Sequence, residues 1–317
     1  MHFAYKNVLK NKTKNRDALE FIFYAEYYLR DLQVELNNQT YTPRPPFVFF
    51  INDPKVREIH SFKLRDMIVQ RVILERTYEL FRRKFIPQSF GGLPNKGPRR
   101  ALQLAQSLTR KFEYYLKCDV AKFYDSIDHS ILKKMLKRTI KDTFLLTLLD
   151  KIIHSHHKNR NKGISIGALL SQYFANLYLT PLDNYLKCYL GIKGYVRYMD
   201  DFIVFHNDRL FLVELRKKIT IFLETRLQLF LNSHIQRIDS VYNGVDFLGF
   251  KIFRHLKRIR RKNLVRMRKK LKDLHFQYKM GKKNIQELHD STNSYLNHLN
   301  QGDMMEHNKK FFECFKI

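Results

Sequence analysis

Apolar positions along this chain switch between helical spacing and short β-prone runs, so the pattern predicts a mixed fold. Helical spacing marks the segments 17–37, 64–85, 130–153, 171–189, 208–231 and everything after Phe253. Between them lie apolar runs of strand length, which read FVFFI, VREIHSFK, EYYLKCD, YVRYMDDFIVF and VDFLGFKIF. We expect FVFFI to be a short buried strand, YVRYMDDFIVF to be a hairpin and VDFLGFKIF to be one strand. This mixture of helices and strands predicts an α+β chain.

The charge balance narrows the classes of function. The chain has 317 residues, of which 59 are Lys or Arg and 30 are Asp or Glu, so its formal net charge is +29. Such an excess costs self-repulsion unless a polyanion screens it, which excludes a neutral metabolic enzyme and favours nucleic acid over an anionic membrane as the partner. No apolar run approaches the ~20 residues of a spanning helix, and the start lacks the apolar core of a signal peptide. Three scattered cysteines form no disulfide or zinc pattern, so we expect a cytoplasmic protein without membrane contact.

A second charge feature is the basic segment 251–283, which contains 15 Lys or Arg residues and one acid, Asp273. An apolar stripe at helical spacing runs through it, formed by Leu264, Met267, Leu271, Leu274 and Tyr278. One side of this helix is therefore expected to pack inward, while the cationic side follows a phosphate backbone with salt-dependent affinity. The alternative is an ordinary solvated helix face.

Two adjacent carboxylates, Asp200 and Asp201, interrupt the apolar hairpin run. Like charges side by side repel, and a divalent cation removes that penalty. A further acid, Asp119, ends the strand EYYLKCD. If this strand lies beside the hairpin, Asp119 meets Asp200, and two metal ions can be held for in-line displacement at phosphorus. The alternative for the pair is a solvated turn, which the apolar flanks disfavour.

Four motifs occur in order along the chain: Asp119 with Tyr124 five positions later, GISIGALLSQYFAN, YMDD and FLGF. In this order they resemble the palm of reverse transcriptases, over about residues 56–253. The resemblance implies a right-hand polymerase fold, with fingers and palm in residues 1–250 and a helical basic thumb in residues 251–317. The palm core is then expected to cover about 111–130 and 171–250 and to contain a small antiparallel sheet.

The resemblance also implies a role for each matching residue. Asp119, Asp200 and Asp201 are the catalytic acids, and with the backbone carbonyl of Val120 they bind two Mg²⁺ ions, for which Mn²⁺ is a possible substitute. Tyr124 matches the steric gate that excludes a ribonucleotide 2′-hydroxyl. The other residues expected at the incoming deoxynucleotide are Arg57, Ile166, Gly167 and Gln172.

The segment around Gly167 resembles one group in particular, the reverse transcriptases of diversity-generating retroelements. Group II intron and retron enzymes typically carry Gln before this glycine and Ser-Pro after it, whereas this chain has Ile166 and Ser171-Gln172. Isoleucine cannot make the hydrogen bonds of that glutamine, so discrimination rests on shape. We therefore expect error-prone copying, and the resemblance to this group implies that the errors fall opposite template adenines. The alternative is that Ile166 only packs the fingers.

The same resemblance implies a set of partners. They are deoxynucleotides, a retroelement template RNA, the RNA–cDNA duplex and a small basic oligomeric accessory protein, in a bacterial, archaeal or phage-encoded system. Two rival hypotheses stay open. One is a group II-like, retron or antiviral-defence reverse transcriptase, and the other is a catalytically silent RNA-binding scaffold, which has no physical need for the three acids.

Overall fold

A computed structural model of the chain describes residues 1–10, 16–52, 56–155 and 161–303. Its helices are α1 His2–Leu9, α2 Arg16–Phe23, α3 Ala25–Asn37, α4 Leu64–Arg82, α5 Pro98–Lys111, α6 Phe123–Ser126, α7 His129–Thr139, α8 Thr143–His154, α9 Leu169–Asn184, α10 Arg209–Phe222, α11 Arg261–Lys279 and α12 Ile285–Leu299. Its strands are β1 Phe47–Asn52, β2 Val56–Ser61, β3 Tyr114–Asp119, β4 Gly194–Tyr198, β5 Asp201–His206, β6 Arg237–Ser240, β7 Val245–Phe247, β8 Phe250–Ile252 and β9 Lys257–Ile259. The expectation of an α+β chain is therefore confirmed.

The central sheet has four antiparallel strands in the order β4-β5-β3-β6. β4 and β5 form the predicted hairpin, with Tyr198 opposite Asp201 and a two-residue turn between them. β3 lies directly beside β5, so the condition under which Asp119 meets the Asp pair is fulfilled. The register places Asp119 opposite Asp201 itself.

Two apolar cores enclose this sheet, because successive residues of a strand point to opposite faces. Leu116 of β3 and Val204 of β5 belong to one core, which includes residues of α4, α9 and α10. Tyr115 and Ile203 belong to the other core, together with residues of α5, the β7-β8-β9 sheet and α11. The acidic end of the sheet is therefore held from both sides by packed helices.

β1 and β2 form a separate two-stranded sheet. The prediction that FVFFI is a buried strand is wrong, because every residue of β1 is exposed, and Phe47 keeps 73% of its surface. The strand forms because Phe, Val and Ile favour extended backbone, but no third strand joins this sheet within the described residues.

Several predicted elements are divided in the structure. The segment 17–37 becomes α2 and α3, and 130–153 becomes α7 and α8, where the Asp142 carboxylate accepts a hydrogen bond from the Leu145 amide and starts the second helix. VDFLGFKIF is two strands, because Leu248 (φ 48°) and Gly249 (φ 87°) make a tight turn that only left-handed backbone allows.

The chain after Phe253 is not all helical, since β9 precedes α11. β8 also runs across the expected boundary at residue 250, so the division into fingers–palm and thumb stays a prediction, and residues 304–317 of the expected thumb lie outside the described residues. In α11 the predicted stripe turns inward only in part: Met267 and Leu271 are buried, Leu264 and Leu274 are half-buried, and Tyr278 is exposed. Among the described helices, none is long and apolar enough to cross a membrane.

Candidate active site

The candidate site lies at one end of the central sheet. Asp119 is the last residue of β3 and pairs with Asp201, the first residue of β5. Met199 and Asp200 form the turn before β5, and Met199 adopts left-handed backbone with φ 56°. Three carboxylates from two neighbouring strand ends therefore meet at one edge.

Burial and the repulsion of neighbouring carboxylates raise the pKa values of Asp200 and Asp201. Burial, followed by the Asp119 charge, raises the pKa of Asp200 to about 6, although Arg57 and Arg197 oppose the rise. Burial raises the pKa of Asp201 to about 7, against the opposing effect of the Lys117 ammonium. Raised values of this kind mean that the charged forms of both carboxyls are disfavoured in the protein alone.

Asp201 is held by a cation from the same face of the sheet. Lys117 Nζ donates to Asp201 Oδ2 at 3.2 Å and to the Asp246 carbonyl at 2.7 Å, and it lies 6.0 Å from the Phe247 ring centroid. Lys117 thus ties the carboxylate to β7. The other oxygen, Asp201 Oδ1, is buried and has no hydrogen-bond partner within the part of the chain that is described.

The residues present fit a hard divalent cation. Carboxylate oxygens are the ligands that Mg²⁺ prefers, and the ion usually takes one or two of them from the protein. The described ranges contain no group of three or more His, Cys, Asp or Glu side chains placed to hold one ion. Metal binding by Asp119, Asp200 and Asp201 therefore stays a prediction, and the Lys117 contact occupies one oxygen of Asp201.

The backbone around Asp119 is fixed by the segment after α10. The Asn232 amide donates to the Asp119 carbonyl at 2.8 Å, and the Ala121 amide donates to the Phe230 carbonyl at 2.8 Å. The Val120 side chain is buried and has no atom that could bind a metal, so the expected role of its backbone carbonyl stays a prediction.

A buried ion pair contacts the β4–β5 turn, which is formed by Met199 and Asp200. Arg197 donates to both carboxylate oxygens of Asp183, at 2.8 and 2.5 Å, and both side chains are fully buried. Its remaining Nη1 donates to the Met199 carbonyl at 2.9 Å and to Asn176 Oδ1 at 3.1 Å. The left-handed turn that presents Asp200 is thus attached to α9.

Two of the residues expected at the nucleotide lie close to the acids. Tyr124, in the short helix α6, is half-buried, and burial followed by the Asp200 charge raises its pKa well above the ordinary value. Arg57 of β2 is near enough to lower the pKa of both Tyr124 and Asp200. The structure therefore gathers Tyr124, Arg57 and Asp200 into one neighbourhood.

The loop before α9 places Ile166 and Gly167 against β2, and Gln172 lies in the first turn of α9. The His60 amide donates to the Ile166 carbonyl at 2.8 Å. Gly167 has φ 114°, and a Cβ there would lie 2.3 Å from the His60 carbonyl oxygen, so only glycine fits. Gln172 packs on Gly92, where an added Cβ would lie 2.8 Å from Gln172 Oε1.

Sequence reasoning missed Lys117, Asn232 and Arg197. Lys117 carried a usable signal, because it lies two residues before Asp119 and strand alternation puts both on one face. Asn232, whose Nδ2 lies 3.4 Å from Asp119 Oδ2, and Asp183, the partner of Arg197, are distant in sequence from the residues they contact, so no local pattern indicates them.

Comparison with known proteins decides the family. A family profile described as reverse transcriptase (RNA-dependent DNA polymerase) matches residues 52–252. The chain belongs to the reverse transcriptase family. Over 271 residues it is 27% identical to Protein YkfC of Escherichia coli, which covers 71% of each protein. Over 226 residues it is 26% identical to the group II intron-encoded protein LtrA of Lactococcus lactis subsp. cremoris, which covers 65% of this chain and 37% of LtrA.

Solved structures agree on the fold of this reverse transcriptase. The structure of telomerase from Candida albicans, in complex with a TWJ fragment of telomeric RNA, superposes with a TM-score of 0.52 at 13% identity, over 86% of this chain and 55% of that one. The architecture is therefore the right-hand polymerase fold that the motifs predict. The chain spans only about half of this structural relative and about a third of LtrA.

Proposed function

We propose that this reverse transcriptase is an RNA-directed DNA polymerase, which adds deoxynucleotides to a 3′-hydroxyl on an RNA template and releases pyrophosphate. The observation that carries the proposal is the pairing of Asp119 with Asp201 beside the Asp200 turn. Carboxylates whose charged forms are disfavoured in the protein alone are suited to a reaction that brings cations and phosphates to them.

Asp119 and Asp200 would hold two Mg²⁺ ions, or Mn²⁺ in their place, with the Val120 carbonyl as a further ligand and Asp201 in support. When bound, such ions activate the attacking hydroxyl and neutralise charge on the transferring phosphate. The chain's own part is to keep Asp119 and Asp200 at one edge, through the β3–β5 register and the Arg197 contact under the turn.

Arg57 and Tyr124 would receive the incoming nucleotide. A guanidinium donates to phosphate oxygens in a bidentate geometry, so Arg57 suits the triphosphate. The Tyr124 ring, beside Asp200, would fill the space of a 2′-hydroxyl and so prefer deoxynucleotides. Gly167 and Gln172 would shape the floor of this subsite.

The steric gate gives a direct test of this assignment. Tyr124→Ala is expected to reduce the preference for deoxynucleotides over ribonucleotides by at least about tenfold, because the ring no longer excludes the hydroxyl. Tyr124→Phe keeps the ring and should keep the preference. Single-nucleotide incorporation measures both, and an unchanged preference in Tyr124→Ala would remove Tyr124 from the site.

We further propose a diversity-generating retroelement as the source of the template RNA, with a small basic oligomeric accessory protein as partner and the cytoplasm as location. Ile166 supports this subtype. Its carbonyl is bonded to the His60 amide, so a side-chain change leaves the backbone anchor intact. Ile166→Gln should lower errors opposite template adenines, whereas Ile166→Val should not. Equal error frequencies in sequenced cDNA from the parent and Ile166→Gln would argue against the subtype.

The second candidate is a group II intron-type reverse transcriptase, which the similarity to LtrA favours. Accurate cDNA from the unaltered chain, with errors spread evenly over the template bases, would select it. A catalytically silent RNA-binding scaffold is the remaining alternative, and it predicts RNA binding without any incorporation.

A further inference from the structure

A groove lies at the end of the central sheet opposite the acids. Its volume is about 440 Å³, and it is lined by the 3₁₀ turn after β6 and by the β8–β9 connection, with residues Val241, Tyr242, Phe253, Arg254, His255, Leu256 and Arg258. Ser240, just before Tyr242, pairs with Tyr114 at the start of β3. The groove is therefore five residues, about 17 Å, along the strand from Asp119.

One wall of the groove is a preformed stack. The Arg254 guanidinium lies 4.1 Å from the Tyr242 ring centroid, and Tyr242 keeps 61% of its surface exposed. Arg254 Nε donates to the Thr109 carbonyl at 3.1 Å, while Arg110 Nε donates to the Arg254 carbonyl at 2.7 Å. These bonds to the end of α5 fix the plane of the guanidinium before any ligand arrives.

The charges around the stack are of one sign. Arg254 and Arg258 line the groove. The Lys251 ammonium lies at the edge of the groove, 5.8 Å from the Phe253 ring centroid. No acid occurs among the lining residues within the described part of the chain. The neighbouring Asp239 is bonded to Arg237 and to Asn243, which offsets its charge.

We propose that this groove binds an unpaired stretch of RNA at a site separate from the catalytic edge. A base extends the Tyr242–Arg254 stack, and the adjacent phosphates lie against Arg258 and Lys251. Aromatic rings and guanidinium planes that accept a splayed base, next to cations for the backbone, are the usual means of binding single-stranded RNA. The choice of RNA rests on the proposed function, because a polymerase of this kind must hold the unpaired parts of its template.

The test measures binding of a short oligouridylate to the full chain, in the presence of excess blunt RNA–DNA duplex that occupies the catalytic cleft. Tyr242→Ala should weaken binding by at least about fivefold, because the stacking surface is lost. Tyr242→Phe, which keeps the ring, should bind within about twofold of the parent chain. Arg258→Gln should weaken binding and reduce its salt dependence. Ultraviolet cross-linking should attach the RNA to the peptide that contains Tyr242.

Unchanged binding in Tyr242→Ala, or a cross-link elsewhere only, overturns the site. If the matching oligodeoxyuridylate binds the parent chain as tightly as the RNA does, and Tyr242→Ala loses that binding too, the groove is a binding site but RNA is not its specific ligand. Extension of a short primed template should be unaffected in Tyr242→Ala, since the groove is remote from Asp119. RNA binding can be measured without polymerisation, so the two proposals can fail separately. If the parent chain incorporates no nucleotide but Tyr242→Ala still weakens its RNA binding, the proposed function is contradicted and the groove is supported.

Discussion

At the scale of single residues, the site is built from groups that are unfavourable in isolation. Asp200 and Asp201 lie beside Asp119 with raised pKa values, and Asp201 has one buried oxygen without a partner among the described residues. Such a conflict persists in a folded protein when function requires it. It predicts that the metal-free protein becomes more stable when a carboxylate is removed.

Asp200→Asn tests this conflict through thermal unfolding. A carboxyl whose pKa is raised from 3.8 to about 6 is favoured when protonated, so its charged form costs stability as pH rises through that interval. Without metal, Asp200→Asn should therefore stabilise the protein by up to about 3 kcal/mol at neutral pH and by nothing near pH 3.

The same variant should lose the stabilisation that added Mg²⁺ gives the parent chain. Asp273→Asn, on the exposed side of α11, is the matched control and should change neither property. A parent chain that Mg²⁺ fails to stabilise, or an Asp200→Asn variant that is less stable at every pH, would speak against a cation site at this edge.

Lys117 is expected to position the Asp201 side chain and to favour its ionised form. Lys117→Met removes the cation that lowers the pKa of Asp201, so the acid limb of the pH–rate profile for incorporation should move to higher pH. Lys117→Arg keeps a cation and should leave the limb nearer its original place. A lower rate with an unmoved profile would mean that Lys117 serves only packing.

Sequence reasoning at this scale found the acids and their neighbours because they stand in short motifs. Asp119 and Asp200 were expected to meet if two strands paired, and the pairing exists, with Asp201 as the residue in direct register. The Lys117 ammonium that bonds Asp201 is also bonded to the Asp246 carbonyl of β7. Asp246 is distant in sequence, so no local pattern predicts this contact.

At the scale of elements, the β4–β5 hairpin depends on its attachment to α9. The Arg197–Asp183 pair is fully buried, and a buried charge without its partner is very costly. Arg197 also donates to the Met199 carbonyl, so the pair links the stability of the core to the shape of the turn that carries Asp200.

Arg197→Met should therefore destabilise the protein by about 3–5 kcal/mol, measured by urea unfolding. Arg197→Met combined with Asp183→Leu should cost clearly less than the sum of the single changes, because no buried charge is left alone. The exposed pair Lys217–Glu214 is the control, and Lys217→Met should cost less than about 1 kcal/mol. Additive losses at Arg197 and Asp183 would contradict this view of the hairpin.

Element types could largely be predicted from apolar spacing, but their ends and burial could not. The positive φ of Leu248 divides a run whose composition predicts one strand. Leucine is not a typical turn residue, so the sequence does not indicate this turn. Likewise, FVFFI has the composition of a core strand, yet its exposure depends on which elements pack nearby.

At the scale of the whole molecule, the net charge of +29 and the basic α11 suit a chain that holds nucleic acid along several surfaces. Non-specific RNA binding should therefore be strong and fall steeply with salt. The right-hand architecture could be predicted because ordered motifs span most of the chain. No residue pattern in the chain identifies the template RNA.

The most direct measurement is Mg²⁺-dependent incorporation of deoxynucleotides on a primed RNA template, with the parent chain beside Asp200→Asn and the control Asp273→Asn, followed by sequencing of the product. The account predicts cDNA from the parent and from Asp273→Asn, with errors concentrated opposite template adenines, and none from Asp200→Asn. Equal incorporation by the parent and Asp200→Asn would contradict the assignment of the acids on which the account rests.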